Sequence, residues 1–301
     1  MARGARRTAP MKRDARLVPL ALAGAIVSIS FAAIFFRLAA PTHPMIVAGT
    51  RLAIASALLC PFVIRAQRAG RLPRRVLTRA LACGLLYGVH FGTWVSSLTM
   101  TSVASSVTLV TATPLLLALL SFATGRDHPE RRHWISIGLA VLGLSLIGWA
   151  DLSFSGDALL GDGLALTGAA AMAFYLLLVR GLGDDLDVLA FGGVATGVGA
   201  VSLFSTAALV GVPIAWASPA SLGWIALSAL IPQLIGHNLL TWSLRHAKPT
   251  AVGIATVGEP VGATFLAWIW LDERLGPVVA TGCAITLAAV LLSVRLRPAP
   301  V

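Results

Sequence analysis

The chain has 301 residues and a mass of 31.2 kDa; 57% of the residues are hydrophobic, 12% are charged, and the mean hydropathy is +0.86. Soluble chains are roughly 45–50% apolar and about 25% charged, so the composition excludes a water-soluble globule and makes lipid the main solvent. The formal charge of +11 sits mostly on Arg clustered between apolar blocks, a pattern that records insertion direction and contact with anionic lipid, and no basic domain with interleaved aromatics exists to bind nucleic acid.

A membrane-crossing helix needs about 20 apolar residues. With charges, Pro and Gly clusters as stops, the sequence predicts ten spans, at about 17–38, 44–64, 79–98, 102–124, 133–150, 159–180, 186–210, 221–243, 249–271 and 277–296. Residues 1–16 form a basic tail with Arg3, Arg6, Arg7, Lys12, Arg13 and Arg16. The apolar run behind it is too long for a signal-peptide core and ends in no small-residue cleavage pattern, so the first span is expected to be retained. Cys60, Cys83 and Cys283 lie in apolar blocks without CxxC spacing and read as small buried hydrophobes.

Loop charges set the orientation, because Lys and Arg bias a loop toward the cytoplasm. With the first residues inside, 20 of the 23 basic residues fall on the inner side. They include Arg65, Arg68, Arg71, Arg74, Arg75 and Arg79 in the second loop and Arg126, Arg131 and Arg132 in the fourth. Only Arg37 and Arg274 fall outside, and Arg51 lies within a span. Both termini are therefore expected in the cytoplasm, with the chain as a multi-pass protein of the cytoplasmic (inner) membrane.

An internal repeat underlies this order. GVHFGTW at 88–94 and GHNLLTW at 236–242 match at Gly88/Gly236, Thr93/Thr241 and Trp94/Trp242, an offset of 148; Pro114/Pro260 and Asp127/Glu273 match at 146, and Arg37/Arg180 at 143. The chain reads as a duplicated five-helix unit, residues 17–150 and 159–296, followed by a short tail at 297–301. Five is odd, so the second copy enters the membrane from the opposite side. Inverted repeats are the structural basis of alternating access, in which two similar halves exchange conformations around a central site.

Several segments resemble the EamA branch of the drug/metabolite transporter superfamily. FFRLAAPTHPMIVAGTRLAIASALL (35–59) is similar to that family's first-to-second helix signature, with Arg37 and Arg51 at its basic positions. TSVASSVTLVTATPLLLALL (101–120) resembles its fourth helix, GDGLALTGAAAMAFYLLLVR (161–180) its sixth, and AVGIATVGEPVGATFLAWIWLDERLGP (251–277) its ninth helix and acidic loop. Asp127 stands where the family more often has Glu. The resemblance implies an all-α integral membrane fold of ten helices in two inverted five-helix repeats. It also implies a secondary transporter of a small metabolite, amino acid or drug, with export favoured over import.

Ionisable groups inside hydrocarbon are expensive, so each is a functional candidate. These are Arg51, His90, His237 and Glu259, with Asp162 near an outer end. On the third helix Gly84, Gly88 and Gly92 recur every four residues and form a packing face. At about 100° per residue, His90 points away from that face, with Tyr87, Trp94, Ser97 and Thr101 on its side. Its two readings are cavity lining and a hydrogen bond to a neighbouring backbone carbonyl. The eighth helix carries Gln233, His237 and Thr241 on one stripe and Asn238 and Trp242 on the next, and is expected to face the third across the pseudo-two-fold axis.

Glu259 is mid-span between Gly258 and Pro260, where the Pro removes a helix hydrogen bond and frees a carbonyl. It reads either as a proton-coupling or substrate-contacting acid, with Thr256 one turn earlier on the same face, or as a structural carboxyl paired with Arg51. Arg51 itself either snorkels to the outer surface or binds an anionic substrate group. The candidate substrate-binding set is thus His90, Trp94, His237, Asn238, Thr241 and Arg51, with Glu259 and Thr256 for coupling or contact.

Asp184, Asp185 and Asp187 read as a solvated turn rather than a metal cluster. GVGA at 197–200 lacks the rest of a dinucleotide fingerprint and reads as packing. A lipid-modifying transferase would need a converging acid or His/Asp/Glu constellation, and a non-transporting scaffold has no use for inverted duplication. The expected partners are a small-molecule substrate, membrane lipid and protons, with no cofactor and no nucleic acid, in a monomer or homodimer.

Overall fold

The computed structural model describes residues 17–101, 103–123, 131–149, 155–272 and 275–294. The tails at 1–16 and 297–301, and Arg126, Asp127, Glu273 and Arg274, lie outside them. The described residues are helical with no strand. The first half contains α1 (Val18–Leu38), α2 (Pro44–Arg68), α3 (Arg74–Ser97), a fourth span in two pieces, α4 (Val103–Val110) and α5 (Thr113–Ala123), and α6 (Arg131–Trp149). The second half contains α7 (Gly156–Arg180), α8 (Val188–Leu209), and an eighth span of α9 (Pro219–Ser228), a π-helix (Ala229–His237) and α10 (Asn238–His246). A ninth span of α11 (Pro249–Thr256) and α12 (Gly258–Trp270) follows, then α13 (Pro277–Val294). Ten spans in two sets of five is the architecture expected from the sequence.

Six of these helices are long and apolar enough to cross a membrane by themselves: the first, second, sixth, seventh, eighth and ninth spans. At 24 residues α3 is equally long, but it carries Arg74, Arg75 and Arg79 at its start and polar groups along its buried side. The structure extends α2 four residues past its expected end and begins α3 five residues early. Those extra turns carry Arg65, Arg68, Arg74 and Arg75, whose long stems let a helix run on beyond the hydrocarbon.

The helix ends repeat as the sequence does. His43 caps α2 and Asp187 caps α8, each accepting a backbone N–H, from Met45 and Ala190 respectively. Gly70 (φ 67°) and Gly211 (φ 76°) end the same two helices. In both, the N–H beyond the glycine donates back across the turn, Arg71 to the Ala66 carbonyl at 2.9 Å and Val212 to the Ala207 carbonyl at 2.8 Å. This is the Schellman closure, whose left-handed residue glycine adopts without strain.

The halves are inverted, and packing between matching helices demonstrates it. Along α2 and α8, Gly49 meets Phe204 while Leu59 and Val63 meet Gly193, so the two counterparts run antiparallel. Gly143 on α6 meets Thr286 on α13, and Ile147 meets Gly282, so the last helices of each half also oppose. Counterparts that run in opposite senses require a two-fold axis lying in the membrane plane.

The first helix of each half packs into the other half. α1 lies against the eighth and ninth spans, and α7 lies against α3 and the fourth span. Small residues bring these backbones together. The Gly84, Gly88 and Gly92 face of α3 packs on α8, against Val198, Ser202 and Leu203 in turn. Gly197 and Gly199 of the GVGA stretch receive Ser56 and Leu52 of α2. Cys83 is buried, but Cys60 is exposed on the outer surface of α2 and Cys283 is partly covered, so the buried reading fails for Cys60. An exposed thiol on a lipid-facing helix costs little because its surroundings are apolar either way.

Candidate functional site

Six spans, three from each half, line a cavity that is partly open to solvent. α1 contributes Ile29 and Ala32, α3 His90 and Trp94, and the fourth span Val110, Thr111 and Thr113. From the second half come Met172 and Leu176 of α7, His237 and Leu240 of the eighth span, and Thr256 and Glu259 of the ninth. The antiparallel pairs α2/α8 and α6/α13 supply none of these residues and act as outer supports.

Broken helices meet the cavity from both halves. The fourth span breaks at Thr111 and Ala112, the ninth at Val257, and each break precedes a Pro, Pro114 or Pro260. Proline has no N–H, so the carbonyl four residues earlier loses its helical donor. In the fourth span that carbonyl belongs to Val110, and the Thr113 hydroxyl donates to it at 2.9 Å. At the repeat offset of 146, Thr113 corresponds to Glu259, and Val110 to Thr256. Two copies of one device therefore differ by a single chemical choice, a hydroxyl in the first half and a carboxyl in the second. The Thr256 hydroxyl donates to the Gly253 carbonyl at 2.6 Å, and the Ser30 hydroxyl to the Glu259 carbonyl at 3.3 Å.

His90 is buried with Nδ1 2.9 Å from the Gly168 carbonyl. A carbonyl can only accept, so Nδ1 carries the hydrogen. That bond ties α3 to α7, and the same ring lines the cavity. Trp94 stacks at 5.9 Å on His90; its indole N–H is buried without a hydrogen-bond partner among the described residues, leaving a donor at the cavity wall. His237 faces α3 edge-on, 5.8 Å from Tyr87 and 5.5 Å from Phe91, which is the approach of third and eighth spans expected from the repeat.

Three of the eight candidate residues lie off the cavity. The Thr241 hydroxyl sits 3.2 Å from that of Tyr175. Asn238 turns toward α8: its Nδ2 donates to the Leu234 carbonyl at 2.8 Å, and its Oδ1 lies against Gly192. Arg51 is fully buried, its guanidinium 4.5 Å from the Phe91 ring centroid and 5.1 Å from that of Phe36. No carboxylate among the described residues comes within ion-pair distance of it, although the field of Glu259 reaches it. The lining residues of the fourth span carried one sequence signal, the Pro114/Pro260 match. Met172 and Leu176 carried none, because an apolar residue facing a cavity looks the same as one facing lipid.

Layers of rings and hydroxyls bound the cavity on both sides. Toward the face bearing Arg71 and Arg75, the Tyr87 and Tyr175 rings stack at 4.4 Å, and the Arg180 guanidinium donates to the Leu244 carbonyl at 2.9 Å. On that face Arg71 pairs with Asp187 at 2.6 Å and Arg75 with Asp185 at 3.7 Å, which gives two of the three clustered aspartates an electrostatic role. Toward the other face, Phe35 packs on Trp224 and Trp270, with centroids at 6.0 and 6.4 Å.

The sequence matches the EamA-like transporter family model twice, over residues 17–149 and 159–295. Two Bacillus subtilis (strain 168) proteins are similar: uncharacterized transporter YetK, 25% identical over 72% of this chain, and uncharacterized transporter YwfM, 24% identical over 62%. The alignments span 64% and 62% of those relatives' own lengths, under two thirds in each case. A crystal structure aligns with a TM-score of 0.73 over 92% of this chain and 96% of that one at 18% identity, a likeness of fold alone.

Proposed function

The chain belongs to the EamA-like transporter family, and from that premise we propose a secondary active carrier that exports a small metabolite by alternating access, with Glu259 coupling proton movement to transport. One observation carries the proposal: a central cavity walled equally by two inverted halves, with one carboxyl at one of its two matched helix breaks. Trp94 and His237 contact the transported molecule, with His90 and Thr256 beside them, while Thr241 and Asn238 hold the surrounding helices in place.

The geometry supports a cycle with few moving parts. Because α1 and α7 each pack into the opposite half, a tilt of one group of helices closes one ring layer as the other parts. Protonation at Glu259 changes the charge inside a low-dielectric chamber by a full unit. Helix breaks at the same depth let the ninth span bend there without losing further hydrogen bonds. The Arg-rich face is cytoplasmic and both termini lie on that side, by the distribution of basic residues.

The test is transport by purified protein in proteoliposomes, screened against amino acids, nucleosides and cationic drugs and followed across pH. Glu259→Gln keeps the shape and removes the titrating group, so transport should persist with a flat pH profile. A variant with the unaltered profile removes Glu259 as the coupling acid.

A further inference from the structure

We propose that Arg51 forms an anion subsite beside Phe91, and that the transported molecule is an organic monoanion whose carboxylate docks there while its apolar body lies in the cavity; this rests on the carrier reading above. Arg51 is 0% exposed, and its Nε, Nη1 and Nη2 have no hydrogen-bond partner among the described residues. Its guanidinium carbon lies over the Phe91 and Phe36 rings, 4.5 and 5.1 Å from their centroids. Ring contact offsets part of the cost of burying the charge but supplies no conventional acceptor for its N–H donors. A planar edge with parallel N–H groups matches a carboxylate in bidentate fashion.

No carboxylate among the described residues lies within ion-pair distance of Arg51. Phe91 links this cation to the cavity: it contacts Arg51 and lies 4.6 Å from His90 and 5.5 Å from His237, both of which line the cavity. Docking at Arg51 requires the Phe91 ring to move aside. The subsite is one-sided, since the matching stretch of α8, Gly192, Gly193 and Val194, has no charge.

The test measures thermal unfolding of the purified full-length protein in detergent at constant ionic strength, with sodium benzoate, benzamide or sodium chloride added. Benzoate should raise Tm saturably, while benzamide, the same ring without charge, and chloride should not. Arg51→Gln should remove the benzoate shift, and Arg51→Lys, lacking the planar fork, should retain part of it. Equal shifts from benzoate and benzamide, equal shifts from benzoate and chloride, no shift with benzoate, or a benzoate shift that survives in folded Arg51→Gln would each overturn the proposal. If Arg51→Gln does not fold, the wild-type comparison of the three probes decides alone. Binding needs no transport, so the proteoliposome screen is extended to benzoate: a benzoate shift with no transport of benzoate or of any screened solute sinks the carrier reading, and transport without the shift sinks only the subsite.

Discussion

Adding one methyl group to Gly84 tests the interface on which the central cavity depends. A Cβ there would lie 2.8 Å from the Ala195 carbonyl oxygen and 2.5 Å from the Val198 Cβ, whereas ordinary contact begins at 3.4 Å. To relieve the carbonyl contact alone, α3 and α8 must part by about 0.6 Å, and a close-packed interior transmits such a shift along both helices. Overpacking of this kind costs about 1–3 kcal/mol, opposed by about 1 kcal/mol of gain as Ala replaces Gly in a helix. Gly163→Ala on α7 makes the same propensity change where nothing lies within 4 Å. The propensity gain cancels between the two variants, so Gly84→Ala should be less stable than Gly163→Ala by about 1–3 kcal/mol. Thermal or SDS-induced unfolding of the purified proteins measures this difference. Coincident unfolding of the two variants would refute the close approach of α3 and α8, and with it the account of why glycines recur along α3.

Further outcomes follow from other contacts. Thr241→Val removes the hydroxyl facing Tyr175 and should cost about 1 kcal/mol of stability while leaving apparent substrate affinity unchanged; Trp94→Ala should weaken affinity as well, and transport KM separates the two. Asp187→Asn keeps the acceptor that caps α8 but loses the charge facing Arg71, a partly exposed pair at 2.6 Å, so it should cost under about 1 kcal/mol and less in high salt. Asp187→Ala loses the cap too and should cost about 1 kcal/mol more, read from melts at two salt concentrations. In a variant lacking the native cysteines, Asp157→Cys should react with an impermeant maleimide from outside and Arg71→Cys only after permeabilisation, and the reverse pattern would overturn the orientation.

The sequence by itself determined the lipid solvent, the ten spans and the duplication, because hydrocarbon imposes one length scale on every helix and an odd repeat must reverse direction. It also marked Glu259, since a carboxyl beside a helix-breaking proline in an apolar run has few uses. Tertiary structure decided which polar residues share a space. Helical periodicity put Asn238 and Thr241 beside His237 on the expected binding surface; in the structure the π-helix at Ala229–His237 feeds that turn, and His237 with Leu240 faces the cavity while Asn238 turns to α8. Arg51 was legible only as a cation within a span that either snorkels to the surface or meets an anion; its full burial against Phe36 and Phe91 is set by α1 and α3. A helical stripe fixes angles about its own axis only, and what stands opposite depends on how neighbouring helices cross.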